Sequence, residues 1–292
     1  VEELNPAQSV ISMAVLLVRY SEIGLKSTPV RVRFENRLKD NLLQMLMADG
    51  VEALVNKGEA RFYIEATDLK AAIRSVRKVF GVASISVAET CGPDLPAICA
   101  AAAAYSQGRM VKGKTFAVRA RREGGQKFTS MDVGREAGSA IWDANLDKDP
   151  RVDLTSPDVV FYIEVRPKAA YIFSDYIYCH AGLPIGTQGR VIADVDDDRG
   201  LVSAWLMMKR GCKVLVRGSR DPTPLRIYDP TLKIITSGEV PPKTLGYVKG
   251  WTLANLPAFD ASKYALPVYF PTIGMDDAEV SAIMQRIAEE SS

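Results

Sequence analysis

The chain has 292 residues, 47% hydrophobic and 25% charged, with 37 basic and 35 acidic side chains for a formal net charge of +2. This length accommodates two or three domains around a sizeable core, and the composition excludes disordered and fibrous classes. A net charge so near zero gives no argument for nucleic acid by itself, so any such claim must rest on where the charges lie.

Residues 1–12 read as an extension ahead of a domain that starts near Met13. The opening "VEELNPAQSVISMAVLLVRY" carries acids where a secretory signal needs bases. "AVLLVRY" is a short apolar run, followed by "STPVRVRFENRLKDNLLQMLMADG". There Val30, Phe34, Leu38, Leu42 and Leu46 recur every four residues, with Leu43 and Met47 widening the stripe, which predicts a helix with one apolar face. Ser27 or Thr28 can cap it, Pro29 suits its first turn, and Gly50 ends it. "VEALVN" and "ARFYIEA" flank "KGE" as a hairpin, "TDLKAAIRSVRKVFG" is a second capped helix, and "VASISVAE" is a strand. The order βαββαβ over residues 13–88 is the ferredoxin-like pattern.

A second domain, residues 89–181, opens with the alanine-rich helix of "CGPDLPAICAAAAAYSQG". "TFAVRARR" alternates like a strand, "TSMDVGREAGSAIWDAN" is a helix capped by Thr129 or Ser130, and "VVFYIEVRPKAAYIFSDYIY" is a strand pair around a turn. In the third region, residues 182–292, "VIADVDDDRGLVSAWLMMKRGCKVLV" alternates strand, helix and strand, which predicts a parallel α/β layer. The Pro- and Gly-rich stretch after residue 218 has no clear periodicity, and the chain closes with a strand, a loop and a terminal helix. The fold class is α/β with an α+β N-terminal part.

Between Arg109 and Arg135 the charge is uneven. Arg109, Lys112, Lys114, Arg119, Arg121, Arg122, Lys127 and Arg135 face only Glu123 and Asp132, a local charge of +6. Arg119 and Arg121 alternate with Val118 and Ala120, so both guanidinium groups leave one face of a strand, an arrangement suited to phosphate oxygens. A solvated charged surface is the competing reading. Arg31, Arg33 and Arg37 add charge on polar positions of the first helix. Aromatic residues do not interleave with these bases, and Phe128 reads as a packing residue, so recognition of a folded RNA by shape and phosphate fits better than base stacking.

Asp194, Asp196, Asp197 and Asp198 crowd the turn between the third region's first strand and helix. Asp198, beside Gly200, suits the helix cap, with the other carboxylates complementing the positive helix end. A Mg²⁺ site on Asp197 and Asp198 is the alternative, though no second motif completes it. His180, the single histidine, adjoins Cys179, but neighbouring residues on an extended segment face opposite ways, which argues against a thiol and base pair. Cys91, Cys99, Cys179 and Cys212 form no C-x-x-C pair, which excludes the usual zinc-ribbon and redox spacings and fits a reduced, cytoplasmic setting. No apolar run approaches the ~18 residues of a membrane span, so no membrane partner is expected.

"VRYSEIGLKS", "RFENRLKDNL", "VFGVASISVA", "FAVRARREGGQKFTSMDVGREAGSAI" and, most specifically, "GLPIGTQGRV" followed by "AWLMMKRGC" together resemble the tRNA 4-thiouridine synthetases, or tRNA sulfurtransferases. Ser21 replaces the glycine of that family's R-Y-G-E-I-x-L-K-[GS] opening. The resemblance implies a ferredoxin-like domain (13–88), a THUMP domain (89–181) and a Rossmann-like PP-loop-type domain (182–292), the first two holding the acceptor end of tRNA. It implies that the third would adenylate a uridine with ATP and Mg²⁺ through an S-G-G-x-D-S loop. Aligned on "AWLMMKRG", this chain has Val195, Asp196, Asp197, Asp198, Arg199 and Gly200 in place of Ser, Gly, Gly, any residue, Asp and Ser. Carboxylates there would repel pyrophosphate.

Beside that family, the final region, about 110 residues, is expected to be short for a PP-loop domain, without the family's cysteine pair or catalytic cysteine and with no rhodanese-like domain after it. The expectation is a tRNA-binding protein involved in thio-modification, with adenylation lost or dependent on a partner and no cofactor of its own. The rivals are an active sulfurtransferase using ATP and Mg²⁺ held by Asp197 and Asp198, and a non-catalytic scaffold. Further partners left open are a sulfur donor, a separate catalytic chain and a second copy of this chain as a homodimer. A role in thiamine synthesis, another activity of this family, is open as well.

Overall fold

The computed structural model describes residues 14–236 and 238–291, so the expected extension over residues 1–12 lies outside it. In chain order it contains β1 (Val15–Arg19), α1 (Thr28–Ala48), β2 (Ala53–Gly58), β3 (Arg61–Ala66), α2 (Leu69–Arg77), β4 (Ser84–Cys91), α3 (Leu95–Gln107), β5 (Thr115–Arg122) and α4 (Ser130–Ala144). β6 (Arg151–Val152), β7 (Val159–Val165), β8 (Ala170–Phe173), β9 (Ile177–Tyr178), β10 (Arg190–Asp194), α5 (Asp198–Lys209) and β11 (Lys213–Arg217) follow. The chain closes with α6 (Thr223–Arg226), β12 (Lys233–Ile234), β13 (Thr244–Lys249), β14 (Val268–Tyr269) and α7 (Asp277–Ser291). It divides into two compact units. One holds Ser86–Ile177 with the described residues up to Leu17, and the other holds Val18–Ile85 with the described residues from Tyr178 onward.

In the first unit the strands run β4-β8-β7-β5-β6, with β5 parallel to β7 and β6 and the β7–β8 pair antiparallel. Alternation along β5 sends Phe116, Val118 and Ala120 into a core with Ile98, Val133, Ala137, Ile141, Phe161 and Ile163, and turns Arg119 and Arg121 outward. Both helices start on side-chain caps. Asp94 accepts from the Ala97 N–H at 3.0 Å, and Thr129 and Asp132 form a reciprocal capping box at the head of α4.

In the second unit β2 and β3 form an antiparallel hairpin, and it, α1 and α2 lie wholly within Val18–Ile85. α1 buries Phe34, Leu38, Leu42, Met45 and Leu46. The wider stripe expected from Leu43 and Met47 is corrected: Leu43 is 40% and Met47 77% exposed, and Met45 takes the inward position. The α/β layer is wholly parallel, in the order β12-β11-β10-β13-β14. The stretch that sequence left unassigned after residue 218 supplies α6, β12 and β13, elements too short and too broken by Pro and Gly to carry a period.

An aromatic box consolidates this unit. Phe80 stacks on Tyr228 with centroids 5.2 Å apart and meets Trp205 and His180 at 5.4 Å. Glu290 of α7 accepts from the Tyr228 hydroxyl at 2.6 Å and lies 2.9 Å from His180 Nε2. His180 is therefore a packing residue, and burial pushes the neighbouring Cys179 thiol up to about 12, out of the range of a nucleophile. Cys212 is buried.

The two sides of α1 should separate cleanly on mutation. Leu42→Ala is expected to destabilise by about 2–5 kcal/mol in urea unfolding, and Met47→Ala by less than about 0.5 kcal/mol.

Candidate nucleic-acid interface and the aspartate turn

At the C-terminal ends of three adjacent parallel strands, Asp194 of β10 is in register with Arg217 of β11 and Lys249 of β13. Its Oδ1 accepts from Arg217 Nε and its Oδ2 from Lys249 Nζ, both at 2.6 Å, and the carboxylate is 14% exposed. Burial, the largest influence, raises the Asp194 pKa, but the hydrogen bonds and positive charges of Arg217 and Lys249 together outweigh it and hold the group below the usual carboxylate range.

The remaining aspartates are also engaged within the chain. Asp196 accepts from the Ser219 N–H at 3.0 Å and its hydroxyl at 3.2 Å. Asp197, not Asp198, caps α5: its backbone is extended and its Oδ1 accepts from the Gly200 N–H at 2.7 Å. The expected cap is thus displaced by one residue, because the helix already includes Asp198, whose carboxylate pairs with Arg220 at 2.6 Å. Arg199 donates to the Thr272 and Met275 carbonyls at 3.1 and 2.9 Å and pairs with Asp277 at 2.6 Å. Val195 is buried.

Backbone covers the same turn. A Cβ on Gly250 would fall 2.2 Å from the Gly200 nitrogen, and one on Gly218, at φ +136°, would fall 2.2 Å from the Val195 carbonyl oxygen. Only glycine permits either approach. Asp197 and Asp198 thus turn to different partners, and among the described residues no group of three His, Cys, Asp or Glu side chains is arranged to hold a metal.

The basic segment is less uniform than its sequence. Arg109 folds onto the Tyr105 ring, 3.4 Å from its centroid, and donates to the Tyr105 carbonyl. Lys114 pairs with Asp158, which is held at about 2 chiefly by the Thr115 backbone N–H and then by Lys114. Arg135 pairs with Asp132 and Glu136, and half-buried Arg122 donates to the Gly124 and Gln126 carbonyls, shaping its own loop. The Lys112, Arg121 and Lys127 side chains are exposed and make no ion pair or hydrogen bond among the described residues. Arg119, also exposed, donates one bond to the Leu154 carbonyl.

Strand pairing adds what the sequence order hid. Arg119 lies opposite Tyr162 and Arg121 opposite Glu164. Tyr162 stacks on Phe173 at 5.2 Å, and Tyr176 meets both rings edge-on at 5.0 and 5.4 Å. Glu164 is buried and faces Arg166 at 3.6 Å. The two arginines and three rings line a cleft of about 530 Å³ with Met131 and Gly134 of α4. A groove of about 600 Å³ follows α4 past Gly138 to Trp142. Met131 is 83% exposed, and a Cβ on Gly134 would meet nothing within 4 Å, so glycine there leaves the groove open.

Residues 15–86 match the family model described as ThiI ferredoxin-like domain, and residues 93–175 match that described as THUMP domain. A protein named "Probable tRNA sulfurtransferase" from Methanosarcina acetivorans is 33% identical, with 94% of this chain and 81% of the relative covered. Its namesake from Methanosarcina mazei is 31% identical, with 94% and 82% covered. Among solved structures, PH1313 from Pyrococcus horikoshii has a TM-score of 0.80 at 26% identity, covering 94% of this chain and all (100%) of that one. A 4-thiouridine synthetase–RNA complex with bound ATP shares the fold, with a TM-score of 0.76 at 23% identity and 96% and 86% covered.

Asp194→Asn tests the ion triad. A carboxylate with a lowered folded pKa contributes stability that is present above about pH 4 and is lost as pH falls through the folded value. The variant is expected to lose roughly 3 kcal/mol at pH 7 and to show a shallower decline in stability on acidification than the parent, measured by denaturant unfolding at a series of pH values.

Proposed function

The chain belongs to the tRNA sulfurtransferase family, and from that premise we propose that it is a tRNA-binding member whose own aspartate turn does not take ATP. Adenylation on this reading is lost or supplied by a partner chain. The observation that carries it is the start of α5, where the Gly200 N–H is bonded to Asp197 and Gly250 is packed against the same nitrogen. A nucleotide phosphate at a helix N-terminus needs free N–H groups and an approach without negative charge. The Asp197 and Asp198 carboxylates stand there instead, each with an internal partner. On this reading the turn is closed to ATP with Mg²⁺ by its own carboxylates and backbone.

What the chain does on this reading is hold tRNA. Arg119 and Arg121 present guanidinium groups to backbone phosphates, with Lys112 and Lys127 adding charge, while Arg109, Lys114, Arg122 and Arg135 are tied to internal partners and act less directly. Tyr162, Phe173 and Tyr176 give the cleft an aromatic wall against which an unpaired base at the RNA end can stack. A sulfur donor and a catalytic chain would then act on RNA held here, in a cytoplasmic setting. Among the described residues no helix is long and apolar enough to cross a membrane.

Arg121→Ala is expected to weaken tRNA binding and to lower the salt slope by about 1, the signature of a lost phosphate contact. Adding Arg119→Ala should deepen both effects. Unchanged affinity and slope in filter binding across a salt series would remove these residues from the interface. Gly134→Leu, which places a side chain in the open groove, is expected to keep the fold and lower tRNA affinity. Equilibrium dialysis with ATP and Mg²⁺ should show no saturable binding, whereas binding abolished by Asp197→Ala with Asp198→Ala would make the turn a metal-dependent nucleotide site.

A further inference from the structure

Within the second unit, the opposite ends of the same strands surround a cavity of about 500 Å³ lined by Arg37 and Asn41 of α1, Arg190, Lys213, Asp229 and Lys243. Parallel register brings these groups together. Arg190 opens β10 opposite Lys213, the first residue of β11, and opposite Thr244, the first residue of β13, which Lys243 precedes. The aspartate turn lies at the C-terminal ends of these five- and six-residue strands, roughly 13 Å away along the sheet.

One of the four cations is neutralised. Lys213 Nζ is 2.8 and 2.5 Å from the two oxygens of Asp229, which is 4% exposed, and bonds the Thr231 hydroxyl at 2.6 Å. Arg37, Arg190 and Lys243 have no carboxylate partner among the described residues. Arg190 Nη1 donates to the Pro242 carbonyl at 3.1 Å, but its Nε is buried and has no hydrogen-bond partner. A buried guanidinium nitrogen left unbonded is costly, and an anion in the cavity would satisfy it.

Backbone features hold the cations in place. Lys243 sits at φ +65°, a conformation that glycine adopts freely and lysine adopts only with strain. Gly186, at φ +93°, holds a backbone conformation that favours glycine and lies against Arg37 at the cavity. Three unpaired positive groups around one concavity repel one another, and a doubly charged oxyanion answers all three at once.

We infer that this cavity is a phosphate-binding site, distinct from the aspartate turn, formed by Arg37, Arg190 and Lys243. The phosphate comes either from a free phosphate compound or from an RNA backbone. The inference stands without the tRNA reading above, because the interface residues Arg119 and Arg121 lie in the other unit and are tested separately.

The experiment uses the full chain and an Arg37→Ala, Lys243→Gly double variant. Glycine at 243 keeps the backbone conformation, and both side chains are exposed, so the variant should fold, as a thermal melt would verify. Titration with inorganic phosphate and with pyrophosphate, followed by ³¹P line broadening, and tRNA binding are measured on both proteins. Saturable phosphate or pyrophosphate binding that weakens about tenfold or more in the variant identifies a free phosphate ligand. No binding of either anion, with tRNA affinity lowered and the salt slope reduced by about 2, identifies an RNA phosphate. Anion and tRNA binding equal in both proteins, or absent from both, overturns the inference.

Discussion

The Asp194 carboxylate ties together the ends of three parallel strands by accepting from Arg217 on one side and Lys249 on the other. Much of the surrounding turn follows from that contact. Gly218 and Gly250 are the residues immediately after those two cations, so fixing Arg217 and Lys249 also brings the next backbone segments onto Val195 and Gly200. The loop that starts α5 is then enclosed from both flanks, and its own carboxylates cap the helix and meet Ser219 and Arg220. A partly buried ion group of this kind is costly to break from one side, since the remaining charges lose their partner. Within the enclosed turn the Gly200 N–H, at the start of α5, is bonded to the Asp197 carboxylate.

The first unit shows the opposite economy of charge. Its sheet face keeps Arg121 free of internal partners and sets it near an aromatic cluster, while Glu164, the acid directly across the strand pair, is drawn toward Arg166. Arg109, Lys114, Arg122 and Arg135 are taken up by ion pairs, a ring contact and loop bonds, while Lys112 and Lys127 stay exposed. A local charge of +6 in sequence thus becomes a small number of available cations, on one strand and in the loops at its two ends.

Much of the architecture was legible because its signals are local. The four-residue spacing from Phe34 to Leu46, the Thr129 cap and the alternation of β5 each reflect a period or a cap that neighbouring residues settle among themselves. The exposure of Leu43 and Met47 was not legible, because the width of a buried stripe depends on what packs against it. Nor were β12 and β13, whose few residues owe their strand state to partners on β11 and β10. For the candidate site, the opposed faces of Arg119 and Val118 could be read from alternation, but the contact with Tyr162 spans a parallel pairing and has no signature in sequence order. The shift of the α5 cap from Asp198 to Asp197 is of the same kind: four carboxylates within five residues offer several caps, and tertiary pairing with Arg220 selects among them.

The central claim is that this chain holds tRNA while its own aspartate turn performs no adenylation. The most direct test is tRNA-dependent release of AMP and pyrophosphate from labelled ATP with Mg²⁺, run on a preparation in which tRNA binding is verified. This account predicts tRNA binding without release by the chain alone. Release that requires tRNA and disappears in the Asp197→Ala, Asp198→Ala double variant would contradict it and make the turn a catalytic site.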